Sequence, residues 1–182
     1  MATKRDLVLA KRLLAAGVLV EDQVKAALRI QEQWREQGRE VPIEHALYAS
    51  KALPQNALAL VTAPPPLQSQ PFANYRLEAQ LGTGGLATVY AGVYTPNDTP
   101  VAVKVLDPVY ALRDLHRQRF QHEAKLHIGL EHENLVAGYE VGLQNGYHFY
   151  TMDFIDGATV LDVIERRGRL GNEEALSVTL QV

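Results

Sequence analysis

A proline-rich stretch at residues 62–74 divides the sequence into two parts with different hydrophobic periods. Three consecutive prolines and small polar residues fill it, and proline lacks an amide donor and favours extended backbone. Apolar residues before it repeat with helical spacing, whereas those after it alternate as in strands. The pattern predicts a helical domain over 1–61, a semi-rigid linker over 62–74 and a second domain over 75–182.

Glycines mark the ends of two helices predicted in the first domain. One helix runs from about residue 5 to residue 16 and ends at Gly17, and the other runs from about residue 21 to residue 37 and ends at Gly38. Glycine is common at these positions because it adopts the left-handed conformation of a C-terminal cap. Two shorter helical stretches follow, over 43–51 and 54–61.

The first domain contains an internal similarity at an offset of 34 residues. The offset aligns Leu13 with Leu47, Leu19 with Leu53 and Val24 with Leu58. This predicts a duplicated helix-turn-helix unit, with a plain helical bundle as the alternative. The segment is somewhat similar to the small helical N-terminal domains of type II secretion ATPases, and that resemblance implies an adaptor-like element with a protein partner.

The second domain combines strands with helices. Strands are predicted over 75–82, 88–94, 100–106, 135–144 and 146–154. Helices are predicted over 109–130, between the third and fourth strands, and over 160–168. This order predicts an α+β fold in which an antiparallel sheet packs against a helix.

Lys104 is the one polar side chain in the apolar strand 101–106. A buried ammonium group is costly without a partner, so an opposing carboxylate or a phosphate is expected nearby. The alternative is a lysine that reaches solvent from an edge strand.

The helix over 109–130 offers a candidate partner for this lysine. At 100° per residue, Glu123 falls near the middle of an apolar arc formed by Leu112, Leu115, Phe120, Leu126 and Leu130. The acid is therefore predicted to face the sheet. A local pair with Arg119, four residues earlier, is the alternative.

Three glycines at positions 82, 84 and 85 stand between the first two predicted strands. Glycine permits positive φ and close approach of the backbone, so amide groups can point at phosphate oxygens. An ordinary hairpin is the alternative. The order of glycine turn, lysine strand and inward acid favours a phosphate-binding turn.

Four segments, in this order and spacing, resemble the N-terminal lobe of a bacterial eukaryotic-like serine/threonine protein kinase. They are "LGTGGLATVYAGVY", "VAVKVL", "RFQHEAKLHIGLEHENLVAGYEVG" and "HFYTMDFIDGATVLDVI". The resemblance runs from Tyr75 into the start of the C-lobe. It implies a five-stranded antiparallel sheet with a helix called αC, preceded here by a small all-α domain, in an enzyme that transfers the γ-phosphate of MgATP to protein serine or threonine hydroxyls.

The resemblance also implies a role for each matching residue. Lys104 would bind the α- and β-phosphates while Glu123 holds it. Met152 would be the gatekeeper, main-chain groups of Asp153 and Ile155 would meet the adenine edge, and Asp162 would approach the ribose. The adenine would be covered by Leu81, Val89 and Ala102. The phosphates would lie under Gly82, Thr83, Gly84, Gly85, Leu86 and Ala87.

Two features depart from the family pattern. Ala87 stands where the family usually has a third glycine, which predicts a stiffer loop tip. The sequence contains no His-Arg-Asp catalytic loop, metal-binding Asn or Asp-Phe-Gly motif up to Val182, so the Mg²⁺ ligands are expected outside it. The segment alone is expected to be inactive, and a pseudokinase or docking module that acts by protein interaction is the alternative.

Composition and spacing argue against other classes. The net charge of −3 with scattered Lys and Arg argues against nucleic-acid binding, and no apolar run is long enough to span a bilayer. The absence of cysteine removes disulfides and thiolate metal sites and fits the cytoplasm. His122 and His127 are five residues apart, too many for a zincin motif, so no metal site is expected. The glycines precede a strand instead of the helix of a Rossmann turn, and no Gly-x-Ser-x-Gly elbow occurs.

Overall fold

Three helices with described bounds lie in the N-terminal part of the computed structural model, which describes residues 2–54, 57, 61, 72 and 74–181, so most of the helix predicted over 54–61 lies outside the described residues. They are α1 (Lys4–Ala15), α2 (Glu21–Glu36) and α3 (Ile43–Ala49). Thr3 and Asp6 form a capping box at the start of α1, where the Thr3 hydroxyl accepts a hydrogen bond from the Asp6 amide at 3.1 Å. We call the described residues from 2 to 61 the helical module.

The core of the helical module is apolar and closely packed. Trp34 packs at its edge, with the Arg39 guanidinium carbon 5.5 Å from the indole ring centroid. The most deeply buried side chains of this core are Leu13, Ala27, Ile43, Ala46, Leu47 and Ala57. Helical periodicity explains these contacts, since each helix turns its apolar stripe inward.

Backbone hydrogen bonds in the helical module repeat at the 34-residue offset. Two successive amides donate to one carbonyl after each of two helices: Val18 and Leu19 to Leu13, and Ala52 and Leu53 to Leu47. Gly17 has φ +65° in the first turn, and Lys51 has φ +59° in the second. The turn geometry therefore follows the offset found in the sequence, although the aligned Leu58 lies outside the described residues.

Five antiparallel strands form one sheet in the order β1-β2-β3-β5-β4. The strands are β1 (Tyr75–Thr83), β2 (Ala87–Tyr94), β3 (Thr99–Leu106), β4 (Gly138–Gln144) and β5 (Tyr147–Asp153). Strand β3 is central, as expected for the most apolar strand of the sequence. The predicted α+β fold with a five-stranded antiparallel sheet is confirmed.

The single helix predicted over 109–130 is wrong, because the structure divides it. It forms α4 (Pro108–Ala111) and α5 (Asp114–Gly129), separated by an extended Arg113 with φ −106° and ψ 124°. The Asp107 carboxylate caps α4 by accepting from the Val109 amide at 2.9 Å. Two further helices follow β5, α6 (Val160–Arg167) and α7 (Asn172–Gln181).

The apolar arc predicted for the long helix is also largely wrong. Helix α5 buries only Phe120 and Ala124. Leu115, Leu126 and Leu130 are each about half exposed. On a helical wheel of α5, Leu115 and Leu126 lie about 140° and about 120° from Phe120, whereas Ala124 lies about 40° from it, so the buried face lies at one edge of the predicted arc.

The outer face of the sheet, away from α5, carries an aromatic core. Phe149 is 1% exposed, with its ring centroid 5.0 Å from that of Phe72 and 6.0 Å from that of Tyr75. Phe72 lies in the stretch predicted to be a linker, but it is fully buried in this core. The rest of the predicted linker up to residue 73 lies outside the described residues. No helix among the residues described combines the length and apolarity needed to cross a bilayer.

Gly138 lets β4 pass close to the end of α5. A Cβ at this position would lie 2.9 Å from the His127 carbonyl carbon and the Ile128 amide nitrogen, which are backbone atoms and cannot rotate away. We expect Gly138→Ala to destabilise the chain by about 1–3 kcal/mol, measured as a lower urea midpoint. The matched change Gly129→Ala, where an added Cβ meets nothing within 4 Å, should be neutral or stabilising. Equal midpoints for the two variants would contradict this account.

Candidate functional site

A row of paired residues crosses four strands beside the glycine-rich turn. Gly82 pairs with Val89, Val89 with Lys104, and Lys104 with Tyr150. Directly opposite residues of antiparallel strands project to the same face. The side chains of Val89, Lys104 and Tyr150 therefore lie next to one another on the face covered by α5.

Lys104 and Glu123 form an ion pair within this row. The distance from Lys104 Nζ to Glu123 Oε1 is 2.5 Å, so the acid of α5 faces the sheet and meets the lysine instead of the neighbouring Arg119. The hydroxyl of Tyr150 donates to the same oxygen at 2.8 Å, and Lys104 Nζ lies 5.5 Å from the Tyr150 ring centroid. One carboxylate oxygen therefore joins two strands to the helix.

The Glu123 carboxylate is held in its charged form, and the ion pair is open to solvent. Burial raises the pKa of Glu123, but hydrogen bonds from Lys104 and Tyr150 outweigh it and bring the pKa below its usual value. Burial, followed by the hydrogen bond to Glu123, raises the pKa of the Tyr150 hydroxyl, which stays protonated as a donor. The Lys104 side chain is 24% exposed and that of Glu123 is 44% exposed, so a ligand can reach both.

Tyr150 is a site residue that the sequence analysis missed. It is 1% exposed, packed against Phe120 at a centroid distance of 5.3 Å and stacked on His127 at 5.7 Å. Strand alternation places it on the same face as Met152, two residues later. This alternation could have identified Tyr150 from the sequence, because a tyrosine on the same face of the sheet as Lys104 can reach Glu123.

The glycine-rich turn differs in one respect from the expectation. The Gly84 amide donates to the Ala87 carbonyl at 2.8 Å, but none of Gly82, Gly84 and Gly85 has a positive φ. An added Cβ at Gly82 or Gly85 would meet nothing within 4 Å, and one at Gly84 would make ordinary contact with the Ala87 carbonyl. The fold itself therefore does not require these glycines, and their bare backbone faces open space.

The end of the turn is anchored in the core. Ala87 is 7% exposed, and its methyl group packs in a cluster with Leu106 and Phe120, so it does not lie at the loop tip as expected. Leu86 packs partly against the same cluster. At the other side of the turn, the Thr83 hydroxyl accepts a hydrogen bond from the Gln80 side chain at 2.9 Å.

The predicted hinge follows β5. Met152 is partly buried opposite Ala102, on the same face as Lys104. The Asp153 amide donates to the Ala137 carbonyl at 2.9 Å, and its carboxylate accepts from the Ala137 amide at 3.1 Å. These bonds hold the start of the hinge, whereas Ile155 is 65% exposed.

Two other predicted residues lie at the edge of this face or outside it. Leu81 lies in an irregularity of β1 between the paired residues 80 and 82, and it is half exposed. Asp162 lies in the first turn of α6, where its carboxylate accepts hydrogen bonds from the Thr159 amide at 2.7 Å and hydroxyl at 2.6 Å. The structure thus brings Val89, Ala102, Lys104, Glu123 and Met152 together, while Asp162 caps a helix outside the sheet.

Comparison with known proteins gives a consistent result over this part of the chain. The model of the family described as "Protein kinase domain" matches residues 75–182. The serine/threonine-protein kinase PknA of Corynebacterium glutamicum is 36% identical over 126 residues, covering 66% of this chain and 27% of that protein. PrkC of Bacillus subtilis is 32% identical over 108 residues, covering 59% of this chain and 17% of that protein.

A solved structure supports the same fold. The kinase domain of Mycobacterium tuberculosis PknI aligns with a TM-score of 0.53 and 28% identity, covering 60% of this chain and 45% of that domain. The chain spans less than a third of the length of the curated relatives that it matches.

Proposed function

The chain belongs to the protein kinase domain family, and from that membership we propose that residues 75–182 are the ATP-binding lobe of a serine/threonine protein kinase. The whole protein would transfer the γ-phosphate of MgATP to serine or threonine hydroxyls of protein substrates. This proposal depends on the solvent-accessible ion pair of Lys104 and Glu123. The pair lies beside an open glycine-rich turn, because Gly82 pairs with Val89 and Val89 pairs with Lys104.

In this proposal the lysine binds the nucleotide and the other residues of the row hold the lysine. The Lys104 ammonium is a point charge that suits the α- and β-phosphates, while Glu123 and Tyr150 fix its position before nucleotide arrives. Amides of the turn from Gly82 to Ala87 would contact phosphate oxygens, and the missing side chains leave room for them. Catalysis would depend on this preorganised charge.

The nucleotide base would lie beneath the same face of the sheet. Val89 and Ala102 are adjacent there, with Leu81 at the irregular end of β1, and they would cover the adenine. Met152 would border it, and main-chain groups of Asp153 and Ile155 would meet its edge. We propose a ribose contact for Asp162 only after a rearrangement, since its carboxylate now caps α6.

Mg²⁺ would need ligands from elsewhere. No group of three or more histidine and acidic side chains placed to bind a metal occurs among residues 2–54, 57, 61, 72 and 74–181. We therefore propose that metal ligands and the catalytic aspartate lie in kinase segments beyond the present sequence, so this part alone is inactive. The exposed Leu161, Leu176 and Leu180 of α6 and α7, which bury no residue, support packing against further polypeptide.

Titration of the chain with MgATP tests nucleotide binding directly. We expect Gly82→Val to weaken MgATP at least about tenfold, because the new side chain fills the space above the phosphates. The unfolding midpoint should change little, since an added Cβ at this position meets nothing within 4 Å. The control Gly171→Val, also in open space but outside the sheet, should keep the affinity for MgATP, with a stability lower by about 1 kcal/mol because Gly171 is the N-cap residue of α7. Equal affinities in both variants would refute a phosphate-binding turn.

Activity of the full-length protein separates two versions of the proposal. Transfer of labelled phosphate from MgATP to protein serine or threonine supports the kinase, whereas binding without transfer supports a pseudokinase or adaptor. The pseudokinase or adaptor version would act through protein partners of the helical module. The similarity of this module to secretion ATPase domains supports such partners.

A further inference from the structure

The connection between β3 and α5 contacts the helical module through polar and apolar side chains. Arg12 Nη2 lies 2.6 and 2.5 Å from the two carboxylate oxygens of Asp107. Arg113 Nη1 donates to the Gly17 carbonyl, at the turn between α1 and α2. Val109 is 1% exposed and belongs to the hydrophobic core of the helical module. Residues almost one hundred positions apart thus form one interface.

The same connection reaches both parts of the candidate site. The Asp107 amide donates to the Leu86 carbonyl at 3.0 Å, which ties the connection to the glycine-rich turn. Tyr110 packs against the core of the helical module and also against the cluster beneath that turn. Arg113 is the N-cap residue of α5, so its contact with Gly17 holds the beginning of the helix that carries Glu123.

We propose that the helical module positions α5, and through it Glu123, by docking on this connection, with Arg12 and Arg113 as positioning residues. The proposal rests on the proposed function, because Glu123 matters if Lys104 binds nucleotide. Arg12 and Asp107 are partly exposed, and such pairs contribute little alone. The buried Val109, with Tyr110 and Leu112 packed beside it, supplies the apolar part of the attachment, and the two arginines fix its geometry. An α-helix held at its first residue transmits that constraint along its length.

Hydrogen exchange of the 182-residue chain tests positioning without nucleotide. We expect Arg12→Glu, which places a carboxylate against Asp107, to speed amide exchange in residues 114–129 about fivefold or more. The variant Arg12→Lys keeps the positive charge, so amides of residues 114–129 should exchange in it as slowly as in the unaltered chain. Lys11→Glu is the matched control, because Lys11 is exposed beside Arg12 and the change in charge is the same. Unchanged exchange in Arg12→Glu would overturn the proposal.

A second variant distinguishes the loss of positioning from unfolding of the helical module. Arg113→Leu removes the contact with Gly17 from the other side of the interface, and residues 4–36 report in the same experiment whether α1 and α2 keep their protection. Faster exchange of α5 with α1 and α2 still protected supports the proposal. Fast exchange of α1 and α2 together with unchanged α5 contradicts it, since α5 would then be independent of the module.

Nucleotide affinity separates this proposal from the proposed function. We expect Arg12→Glu to weaken MgATP about fivefold while Lys11→Glu does not. If MgATP binds to no version of the chain but α5 exchange responds as described, the proposed function fails and positioning stands. If MgATP binds equally to Arg12→Glu and to the unaltered chain, the positioning role is wrong and the proposed function stands.

Discussion

Replacement of Lys104 by methionine should abolish phosphoryl transfer by the full-length protein, lowering its rate by a factor of about 100 to 1,000 or more. The ammonium is paired with Glu123, and methionine has similar length without charge. The substitution should lower the rate of phosphoryl transfer much more than the stability of the fold. The Lys104 side chain is partly exposed, and Glu123 keeps its hydrogen bond from Tyr150. The measurement is steady-state transfer from labelled MgATP, with thermal unfolding of both proteins.

The control for this variant is Lys125→Met. Lys125 is an exposed residue of α5, two positions after Glu123, so the same substitution removes a charge outside the ion pair. Its rate should stay within about threefold of the unaltered protein. Full activity in Lys104→Met would contradict the role given to the lysine, and an equal loss in both variants would indicate a general effect of charge.

The largest change in stability is expected from Phe149→Ala. Its ring fills the centre of the outer-face core, in edge contact with Phe72 and Tyr75. It also lies against Gly142, where an added Cβ would come within 2.8 Å of the ring. Removing a buried phenylalanine costs about 3–5 kcal/mol in lost burial and in the cavity left behind. Urea denaturation followed by circular dichroism measures the effect.

Phe154→Ala is the matched control for the aromatic core. Phe154 is a partly exposed phenylalanine just after β5, outside the three hydrophobic clusters. We expect a loss of about 1 kcal/mol or less for this change. Similar midpoints for Phe149→Ala and Phe154→Ala would show that the outer face of the sheet is not a closely packed core.

Local periodicity explains what the sequence could predict. Strand alternation placed Lys104 on the face of Ala102, and the helical angle turned Glu123 toward the sheet, so both partners of the ion pair could be identified. The antiparallel sheet was predicted from the order of alternating segments and helix, whereas the pairing of β3 with β5 was not predicted. Each of these inferences used residues close together in the chain.

Contacts between residues far apart in the sequence determine the features that could not be predicted, which are the break before α5, the role of Tyr150 and the exposed leucines. The break before α5 depends on Asp107 and Arg113, which are held by Arg12 and Gly17 from the other end of the chain. Tyr150 became a site residue through a hydrogen bond to a helix 27 positions away in sequence. The exposure of Leu115 and Leu126 depends on which side of α5 packs against the sheet, and that is a tertiary contact. No periodicity within a segment contains this information.

The position of Trp34 gives the two parts of the chain separate optical signals. It is the single tryptophan of the sequence and lies beside Arg39 at the edge of the helical module. Its fluorescence emission therefore follows melting of the N-terminal helices alone. Near-ultraviolet dichroism also includes the signals of the buried tyrosines of the sheet, such as Tyr75, Tyr147 and Tyr150. Coincident transitions in the two spectra would make the whole chain one cooperative unit, joined by Val109, and separated transitions would give each part its own stability.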